Sequence, residues 1–455
     1  MLTSGVRHRH RQAAVSAALG LLFVGAAAAP SQAESTRSEQ WFLDAMKAEQ
    51  MWQTSTGKGV TVAVIDTGVD PTNPDLKGQV LKGKDLAPNQ PGDEHTDYEG
   101  HGTGMAGLIA GTGAYGGGNG AFGLAPGVKI LPIRLPKGDS AANQAEGDKR
   151  FNEAVARAIR YAADEHAKVI NISQAAPEGS PQLTAAVTYA LEKGSLIFAG
   201  VGNDGGGANE VMYPAATPGV VGVAAVGKDL HRTAESETGP QVDMAAPGED
   251  MVHACGSKTG LCDTHGTSDA TALASASAAL IWSKHPTWTN NQVLRVMLNT
   301  IGAPTNGAKR NDSIGYGIVR PRIALQNPGD PGPANLYPLP DFKAATSQSA
   351  SPAGSGAEGS DAQAKGGNSP AAVAASESNS NHWITLGVGA VALLGVGIAA
   401  AIAVRKRRTT SAPLPMTAPT PGQAHYAARG FTPSSYAPPV PPDNVPPSDR
   451  GPGAD

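Results

Sequence analysis

A run of β-branched and apolar residues that ends in an acidic residue is the strongest constraint on the fold of this 455-residue chain. The run covers 61–65, with the sequence TVAVI, and Asp66-Thr-Gly follows it directly. Short continuous apolar runs of this kind are typical of strands buried on both faces of a parallel sheet. Open α/β sheets place their ligand sites at the C-terminal ends of such strands. The sequence therefore predicts a mostly parallel α/β sheet with Asp66 at its functional edge.

Two further glycine-flanked segments supply a base and a nucleophile. His101 stands in Gly-His-Gly-Thr-Gly, and Ser268 stands in Gly-Thr-Ser-Asp-Ala at the start of a helix predicted over 267–284. A serine hydroxyl is a poor nucleophile at neutral pH, so acyl transfer needs an imidazole to accept its proton and a carboxylate to orient that imidazole. Asp66, His101 and Ser268 are therefore the predicted catalytic residues. A strand-end aspartate, a capping histidine and an N-cap serine without catalytic roles are the alternative.

The chain order Asp…His…Ser and the residues around it resemble the subtilisin-like serine peptidases. The resemblance runs from about residue 40 to 324 and implies a three-layer α/β domain. The segment SLIFAGVGNDG is similar to the segment that carries the family's oxyanion-hole asparagine. The resemblance therefore implies that Asn203 and the Ser268 backbone N–H stabilise the oxyanion. A loop asparagine that bonds its own backbone is the alternative for Asn203. A lipase or esterase on another α/β fold does not fit, because those enzymes have the order Ser…Asp/Glu…His and a Gly-x-Ser-x-Gly turn, and this chain has neither.

The resemblance also indicates where a peptide substrate binds. The segment VINISQA, residues 169–175, resembles the strand that pairs with an extended substrate backbone. Gln174 stands where many relatives carry leucine, which argues against a strongly apolar distal subsite. A buried central strand without a substrate role is the alternative for this segment. The implied substrate contacts are Ser173, Gln174, Ala175, Gly200 and Gly202.

Asp269 is the most informative departure from the family, whose members usually carry methionine, tyrosine or phenylalanine directly after the nucleophile. A carboxylate at this position would oppose the charge of an oxyanion. In the first turn of a helix, a carboxylate also interacts favourably with the helix dipole. We therefore expect either a solvent-facing Asp269 with little effect or one that slows acylation. Ala272 replaces a proline that is common in the family.

The two cysteines of the chain, Cys255 and Cys262, lie close together in sequence before Ser268. On the oxidising side of a membrane such a pair favours a disulfide bond. Metal binding is a weaker interpretation because two thiols alone make a poor zinc site, and free buried thiols are a further alternative. No cofactor or metal is predicted, since the sequence has no convincing cluster of oxygen ligands for calcium.

Both ends of the chain carry targeting signals. A basic stretch, an apolar stretch and a Ser-Gln-Ala cleavage pattern predict a secretory signal peptide over 1–33, with an uncleaved anchor as the alternative. The uncharged apolar stretch 383–404 is long enough for a single transmembrane helix. Arg405-Lys-Arg-Arg408 follows it, so the positive-inside rule predicts an extracellular domain and a cytoplasmic C-terminus.

Composition divides the remainder of the chain. A peptidase domain with an N-terminal extension is predicted over 34–326, and an Ala-, Ser-, Gly- and Pro-rich linker over 327–382. The tail, 405–455, contains proline pairs and is expected to be disordered. The formal net charge of the chain is −4 at pH 7, and its charges are spread without a dominant basic face. A nucleic-acid partner is therefore not indicated.

The segment that begins at Trp41 resembles the N-terminal region of the mycosins, the membrane-anchored peptidases associated with type VII secretion. This resemblance implies a serine endopeptidase that cleaves exported proteins and is linked to a type VII secretion complex. The alternative hypothesis is a weakly active or inactive structural subunit that stabilises such a complex, with Asp269 having impaired the chemistry.

Overall fold

The computed structural model of this protein describes residues 35–137, 141–256 and 259–342. Within these ranges, none of the helices combines the length and the apolar character that a membrane span requires. Four predicted segments lie wholly or partly outside the described residues: the signal peptide (1–33), the linker (327–382), the membrane helix (383–404) and the tail (405–455).

In the part of the chain that the structure describes, seven parallel strands form the central sheet. In chain order they are β1 (Thr61–Asp66), β2 (Lys84–Asp85), β3 (Lys129–Arg134), β4 (Val169–Ile172), β5 (Leu196–Gly200), β6 (Val221–Val226) and β7 (Met244–Pro247). Their spatial order is β2-β3-β1-β4-β5-β6-β7. The long strands are buried almost throughout, as strands covered on both faces must be. The prediction of a mostly parallel α/β sheet is confirmed.

Two groups of helices cover this sheet. The helices are α1 (Thr36–Glu39), α2 (Trp41–Met46), α3 (Ala48–Trp52), α4 (His101–Ala110), α5 (Gln144–Asp164), α6 (Pro181–Glu192), α7 (Thr267–Lys284), α8 (Asn290–Asn299) and α9 (Pro321–Gln326). Helices α5 and α6 pack against each other and over β1, β3 and β5. Helices α4 and α7 form the second group, in which α7 crosses β4 to β7. This arrangement is the predicted three-layer architecture.

Helix α7 runs through the core of the domain. Its residues from Thr267 to Trp282 are buried with the exception of Ser268, and a helix that is buried on all faces lies in the core. Its buried hydroxyls find partners within and outside the helix: Ser277 Oγ donates to the Leu273 carbonyl oxygen at 2.7 Å, and Ser275 Oγ donates to Asn171 Oδ1 on β4 at 3.0 Å. The helix predicted over 267–284 is confirmed. Because α7 is packed on all sides, the position of Ser268 in its first turn is well fixed.

An antiparallel hairpin connects the sheet to α7. Its strands are β8 (Met251–Ala254) and β9 (Leu261–Thr264), and β8 packs against α4. A disulfide bond between Cys255 and Cys262, with an S–S distance of 1.98 Å, closes the hairpin. The predicted disulfide is therefore present in the structure, and it braces the segment that leads into Ser268.

The folded domain extends beyond the boundary predicted at residue 326. The Tyr337 hydroxyl donates to the Gly219 carbonyl oxygen at 2.7 Å, and the Gly219 backbone N–H donates to Asp341 Oδ2 at 3.0 Å. Leu339 is completely buried. Apolar side chains spaced among the prolines and glycines of this segment give it surface to bury. The first part of the predicted linker, through residue 342, therefore packs on the domain.

Candidate active site

Asp66 and His101 form a hydrogen-bonded acid–base pair, in which the carboxylate is buried and the imidazole is partly exposed. Asp66 ends β1, and its side chain is completely buried. Its Oδ1 accepts hydrogen bonds from the Thr67 backbone N–H at 2.8 Å and from His101 Nδ1 at 2.8 Å. His101 is the first residue of α4, and Gly102 lets that helix approach the loop after β1. A Cβ at Gly102 would lie 2.1 Å from the Gly68 carbonyl oxygen, so glycine is required for this close approach.

The electrostatics of the pair favour a charged imidazole. Burial lowers the pKa of His101, but the charge of Asp66 and the hydrogen bond to it act in the opposite direction. Asp269 and Asp97 add to this attraction, so the pKa of His101 is raised to about 9. With Nδ1 directed at Asp66, Nε2 is the nitrogen left for proton exchange with a nucleophile. The His101 side chain remains 31% exposed, so substrate can reach it.

Ser268 lies in the first turn of α7, next to the end of β4. Its Oγ donates to the Ser173 carbonyl oxygen at 3.2 Å, and Ser173 Oγ donates back to the Ser268 carbonyl oxygen at 3.2 Å. Transfer of the Ser268 proton to His101 therefore requires the hydroxyl to leave the Ser173 carbonyl. The backbone N–H groups of this first turn have no partners within the helix and carry the positive end of its dipole.

Asn203 lies opposite that helix terminus, in the loop that follows β5. Its Oδ1 accepts hydrogen bonds from the Thr267 backbone N–H at 2.9 Å and from Thr267 Oγ1 at 3.0 Å. Because these two donors fix Oδ1, the Nδ2 amide group points away from Thr267 and is available to an oxyanion. Sequence reasoning identified Asn203 but missed Thr267, although its place directly before Ser268 was a usable signal.

Asp97 organises the start of α4 and was also missed. Its Oδ2 accepts hydrogen bonds from the Thr103 backbone N–H at 2.7 Å and from Thr103 Oγ1 at 2.6 Å. Its Oδ1 accepts from Thr67 Oγ1 at 2.7 Å and from the Gly100 backbone N–H at 2.8 Å. One carboxylate thus ties the loop after β1 to the first turn of α4 and fixes the position of His101 relative to Asp66.

Comparison with known proteins identifies the family. Residues 57–317 match the subtilase family, Peptidase_S8.

The chain belongs to the subtilase family.

Among curated subtilases, the major intracellular serine protease of Bacillus subtilis (strain 168) is 33% identical over 216 residues. That match covers 46% of this chain and 65% of the relative, so the chain spans about two thirds of its length. Subtilisin E of the same organism is 34% identical over 263 residues, which cover 57% of this chain and 65% of that protein.

The similar solved structures include mycosins. MycP1 from Mycobacterium smegmatis is 29% identical with a TM-score of 0.56, over 66% of this chain and 87% of that chain. The MycP3 protease from the type VII (ESX-3) secretion system is 34% identical with a TM-score of 0.56, over 62% and 87% of the two chains. A chain in the periplasmic assembly from the ESX-5 inner membrane complex is 29% identical with a TM-score of 0.55, over 65% and 86%. The predicted resemblance to subtilisin-like peptidases and mycosins is confirmed.

Gln174, predicted as a substrate contact, lies against the acid–base pair of this subtilase. Its Nε2 donates to Asp66 Oδ1 at 3.3 Å and lies 3.4 Å from His101 Nδ1. Ala175, the next residue, is exposed. Gln174, which directly follows Ser173 after β4, therefore contacts the Asp66 carboxylate directly, which its sequence position alone did not indicate.

A groove with a volume of about 750 Å³ lies beside Gln174 and Ala175. Leu135 and Pro136 contribute apolar surface to it, and the charged side chains of Asp148, Arg150, Glu153 and Arg157 contribute polar surface. The lining of this groove is therefore mixed rather than strongly apolar.

The two glycines predicted as the facing wall are buried near the start of α7. A Cβ at Gly200 would lie 2.9 Å from Thr267 Oγ1, and the Gly202 backbone N–H donates to the same hydroxyl at 3.4 Å. The structure therefore brings Ser173 and the glycine pair to the same helix terminus. Among the described residues, no group of three or more His, Cys, Asp or Glu side chains could hold a metal ion.

Asp269 does not face solvent. The residue is only 1% exposed, and both carboxylate oxygens lie within hydrogen-bond distance of Thr264 Oγ1, at 2.9 and 3.0 Å. The expectation of a solvent-facing side chain is therefore wrong, because α7 is covered on this side by the β8–β9 hairpin. Burial raises the pKa of Asp269 to about 7, which outweighs the opposing effect of the Thr264 hydrogen bond and of nearby histidines.

Proposed function

We propose that this chain is a serine endopeptidase that hydrolyses peptide bonds of exported proteins outside the cell membrane. The observation that carries the proposal is the hydrogen-bonded Asp66–His101 pair on two elements that meet beside the first turn of α7. Family membership supports the proposal, because the relatives matched across this region include named serine proteases.

In the proposed reaction, Ser268 Oγ attacks the scissile carbonyl carbon and His101 Nε2 accepts its proton. Asp66 holds the His101 ring and stabilises the imidazolium that forms. Asn203 Nδ2 and the Ser268 backbone N–H donate to the oxyanion. His101 then gives the proton to the leaving amine, and the C–N bond breaks. Water attacks the acyl-enzyme by the same route and releases the second product.

The activity is tested with the full-length chain and a denatured, exported-type protein such as casein. We expect fragments that the parent releases and Ser268→Ala does not, with a loss of roughly 10⁴-fold or more in kcat. A matched control is Ser275→Ala, which changes a buried serine of the same helix that bonds to Asn171 and lies outside the proposed site. Equal cleavage by the parent and Ser268→Ala contradicts the proposal.

The proposed location is the outer side of a cell membrane, with a cleaved signal peptide over 1–33 and an anchor helix over 383–404. Its support is the sequence pattern of both segments and the similarity to mycosins. Limited proteolysis of intact cells tests it. We expect an externally added protease to remove the catalytic domain but not an epitope placed after residue 408. Protection of the domain contradicts the proposed orientation.

A link to type VII secretion is the finer part of the proposal. It is supported by the similarity to MycP3 from an ESX-3 system and to a chain in the ESX-5 inner membrane complex assembly. Affinity purification of the tagged full-length chain from gently solubilised membranes of its host tests the link. We expect components of a secretion complex in the eluate, and their absence under conditions that keep such complexes intact contradicts it.

A structural role without catalysis is the second candidate function. The burial of Asp269 directly after Ser268 and the engagement of the Ser268 hydroxyl by Ser173 favour it. The two functions separate in a strain that carries only Ser268→Ala. If the complex assembles and export continues, the domain acts as a structural subunit. If the complex assembles but export of a processed protein stops, peptidase activity is the required function.

A further inference from the structure

A buried chain of hydrogen bonds connects Asp269 to the β8–β9 hairpin. Thr264 Oγ1 lies 2.9 and 3.0 Å from the two carboxylate oxygens of Asp269, and 2.8 Å from His253 Nε2. His253 Nδ1 lies 2.8 Å from the Ala254 carbonyl oxygen. His253 Nε2 and Asp269 Oδ1 are 4.0 Å apart, so the Thr264 hydroxyl is the bridge between them. The three side chains come from β8, β9 and α7.

The hydrogen atoms in this chain can be counted from its chemistry. The Ala254 carbonyl only accepts, so His253 Nδ1 carries a proton. The Thr264 hydroxyl has one proton and cannot donate to both neighbours. If it donates to His253 Nε2, Asp269 must be protonated and donate to Thr264. If it donates to Asp269, then Nε2 must be protonated and His253 is an imidazolium. Both fully bonded arrangements contain the same number of protons, one more than a neutral histidine beside a carboxylate.

Packing seals the side chains of His253 and Asp269 from water, while Thr264, which bridges them, is partly exposed. The side chains of His253 and Asp269 are 2% and 1% exposed. On the far side, His253 lies against α4, where a Cβ at Gly104 would come within 2.7 Å of its Cε1. An unmade hydrogen bond at His253 Nε2 or at the Asp269 carboxyl group is costly because both are buried, so the fully bonded arrangements are favoured over a chain that lacks the extra proton.

We propose that Asp269, Thr264 and His253 form a buried relay that holds one proton in common and keeps the carboxyl group next to Ser268 uncharged. The proton lies on Asp269, which donates to Thr264, and the Thr264 hydroxyl donates to neutral His253. The arrangement with an Asp269 anion and a His253 imidazolium is disfavoured. Desolvating two charges costs more free energy than their mutual attraction returns when they are not in direct contact and only a hydroxyl bridges them.

The surroundings of the relay agree with this placement of the proton. Burial raises the pKa of Asp269 to about 7 and lowers the pKa of His253 to about 4. The positive end of α7 acts in the opposite direction on Asp269. The other titratable groups that act on the two residues are His101 on α4, Asp263 on β9 and His265 on the loop before α7.

The consequence for catalysis rests on the proposed function. With the proton in place, no negative charge opposes the oxyanion at the start of α7. When the relay loses its proton at higher pH, Asp269 becomes an anion that raises the proton affinity of His101, together with Asp66 and Asp97. The anion therefore acts on two steps, because it opposes the oxyanion and keeps the general base protonated. Asp269 is a positioning and charge-setting residue in this scheme.

The protonation of the relay can be measured without any assay of activity. In the full-length chain labelled with ¹⁵N-histidine, we expect His253 to have a protonated Nδ1 and an unprotonated Nε2 at pH 6. The resonance is assigned from backbone correlations and from its loss in His253→Gln. Infrared difference spectra of the parent and Asp269→Asn should contain the carbonyl band of a protonated carboxyl group. A doubly protonated His253 and no such band overturn the proposal.

Kinetics then test the role of the charge. Asp269→Asn donates an amide hydrogen to Thr264 and imitates the protonated carboxyl group at every pH. We expect the rising limb of its kcat/KM profile to move to lower pH by roughly half to one unit, with higher kcat/KM near pH 8 than in the parent. Thr264→Ser keeps the hydroxyl and should retain the parent profile. An unmoved limb in Asp269→Asn overturns the charge-setting role.

These outcomes distinguish the relay from the peptidase proposal. If neither parent nor variant cleaves peptides but the spectra find the protonated carboxyl group, the relay stands and the proposed function fails. If the parent is an active peptidase but His253 is an imidazolium, the function stands and the relay proposal fails.

Discussion

Asn203 Oδ1 accepts two hydrogen bonds from one residue, Thr267, through its backbone N–H at 2.9 Å and its hydroxyl at 3.0 Å. An amide side chain has two faces of opposite polarity, so fixing its oxygen also fixes the direction of its nitrogen. Thr267 directly precedes Ser268. The residue that orients the proposed oxyanion donor is therefore covalently linked to the proposed nucleophile. This link fixes the position of the Asn203 amide relative to Ser268.

Removing the Thr267 hydroxyl should loosen the oxyanion donor. We expect Thr267→Val to lower kcat roughly tenfold with little change in KM, because the backbone N–H still holds Oδ1 while one hydrogen bond is lost. Thr267→Ser keeps the hydroxyl and should retain most activity. For Asn203→Ala, which removes the oxyanion donor itself, we expect a larger loss of about 10²–10³ in kcat, as in a homologous subtilisin. If Thr267→Val costs the same in an Asn203→Ala background, the two residues do not act together.

Activity should rise with pH into the alkaline range. Only unprotonated His101 can accept the Ser268 proton, and its pKa is raised to about 9 from the ordinary value of 6.5. The half-maximum of kcat/KM is therefore expected well above pH 6.5. By linkage, the His101 contribution to the free energy of unfolding is fully present below pH 6.5 and is lost as pH rises through 9. Asp66→Asn should shift the residual profile to lower pH, and a profile centred near 6.5 in the parent contradicts this account.

Gln174 should matter through its contact with Asp66. Gln174→Met keeps the length of the side chain and removes the donor, and we expect kcat/KM to fall about three- to tenfold, since a hydrogen bond to a carboxylate is lost. Gln144→Met is the matched control, because Gln144 lines the same groove but donates to Asp148 instead. Equal losses in the two variants with a single peptide substrate would assign Gln174 to substrate binding alone.

The disulfide bond should stabilise the hairpin that carries the relay. Cys255 and Cys262 are separated by 7 positions, and closing so short a loop contributes about 2 kcal/mol in the chain-entropy description. We expect Cys255→Ser/Cys262→Ser to lower the melting temperature by a few degrees and reductant to lower that of the parent similarly. The double variant should not respond to reductant. A reductant effect of the same size in both proteins would show that it acts elsewhere.

Local sequence was sufficient for the elements whose signals are continuous along the chain. The run that ends at Asp66 predicted β1, and the Ala- and Ser-rich segment from Thr267 predicted α7, because burial on all sides leaves a composition that one strand or helix displays by itself. The parallel sheet followed from the first of these. The disulfide was predicted from two nearby cysteines, for which the fold has only to bring the hairpin strands together.

Other features depend on contacts between distant segments. Asp269 was expected to face solvent or to slow acylation. It is buried because the β8–β9 hairpin covers that side of α7, a contact that the local sequence does not predict. The contact between Gln174 and Asp66 joins residues on β1 and beyond β4. The packing of Tyr337 on Gly219 extended the domain into a segment whose prolines and glycines had predicted a linker. In each case the deciding partner lies far away in sequence, where composition and periodicity carry no signal.

The most direct test of the central claim is covalent labelling of the full-length chain by a fluorophosphonate probe, which reacts only with an activated serine. We expect labelling of the parent, none of Ser268→Ala, and faster labelling of Asp269→Asn near pH 8. Ser275→Ala should be labelled like the parent. Absence of labelling in both the parent and Asp269→Asn, with the protein folded, would contradict the assignment of Ser268 as the nucleophile of a working peptidase.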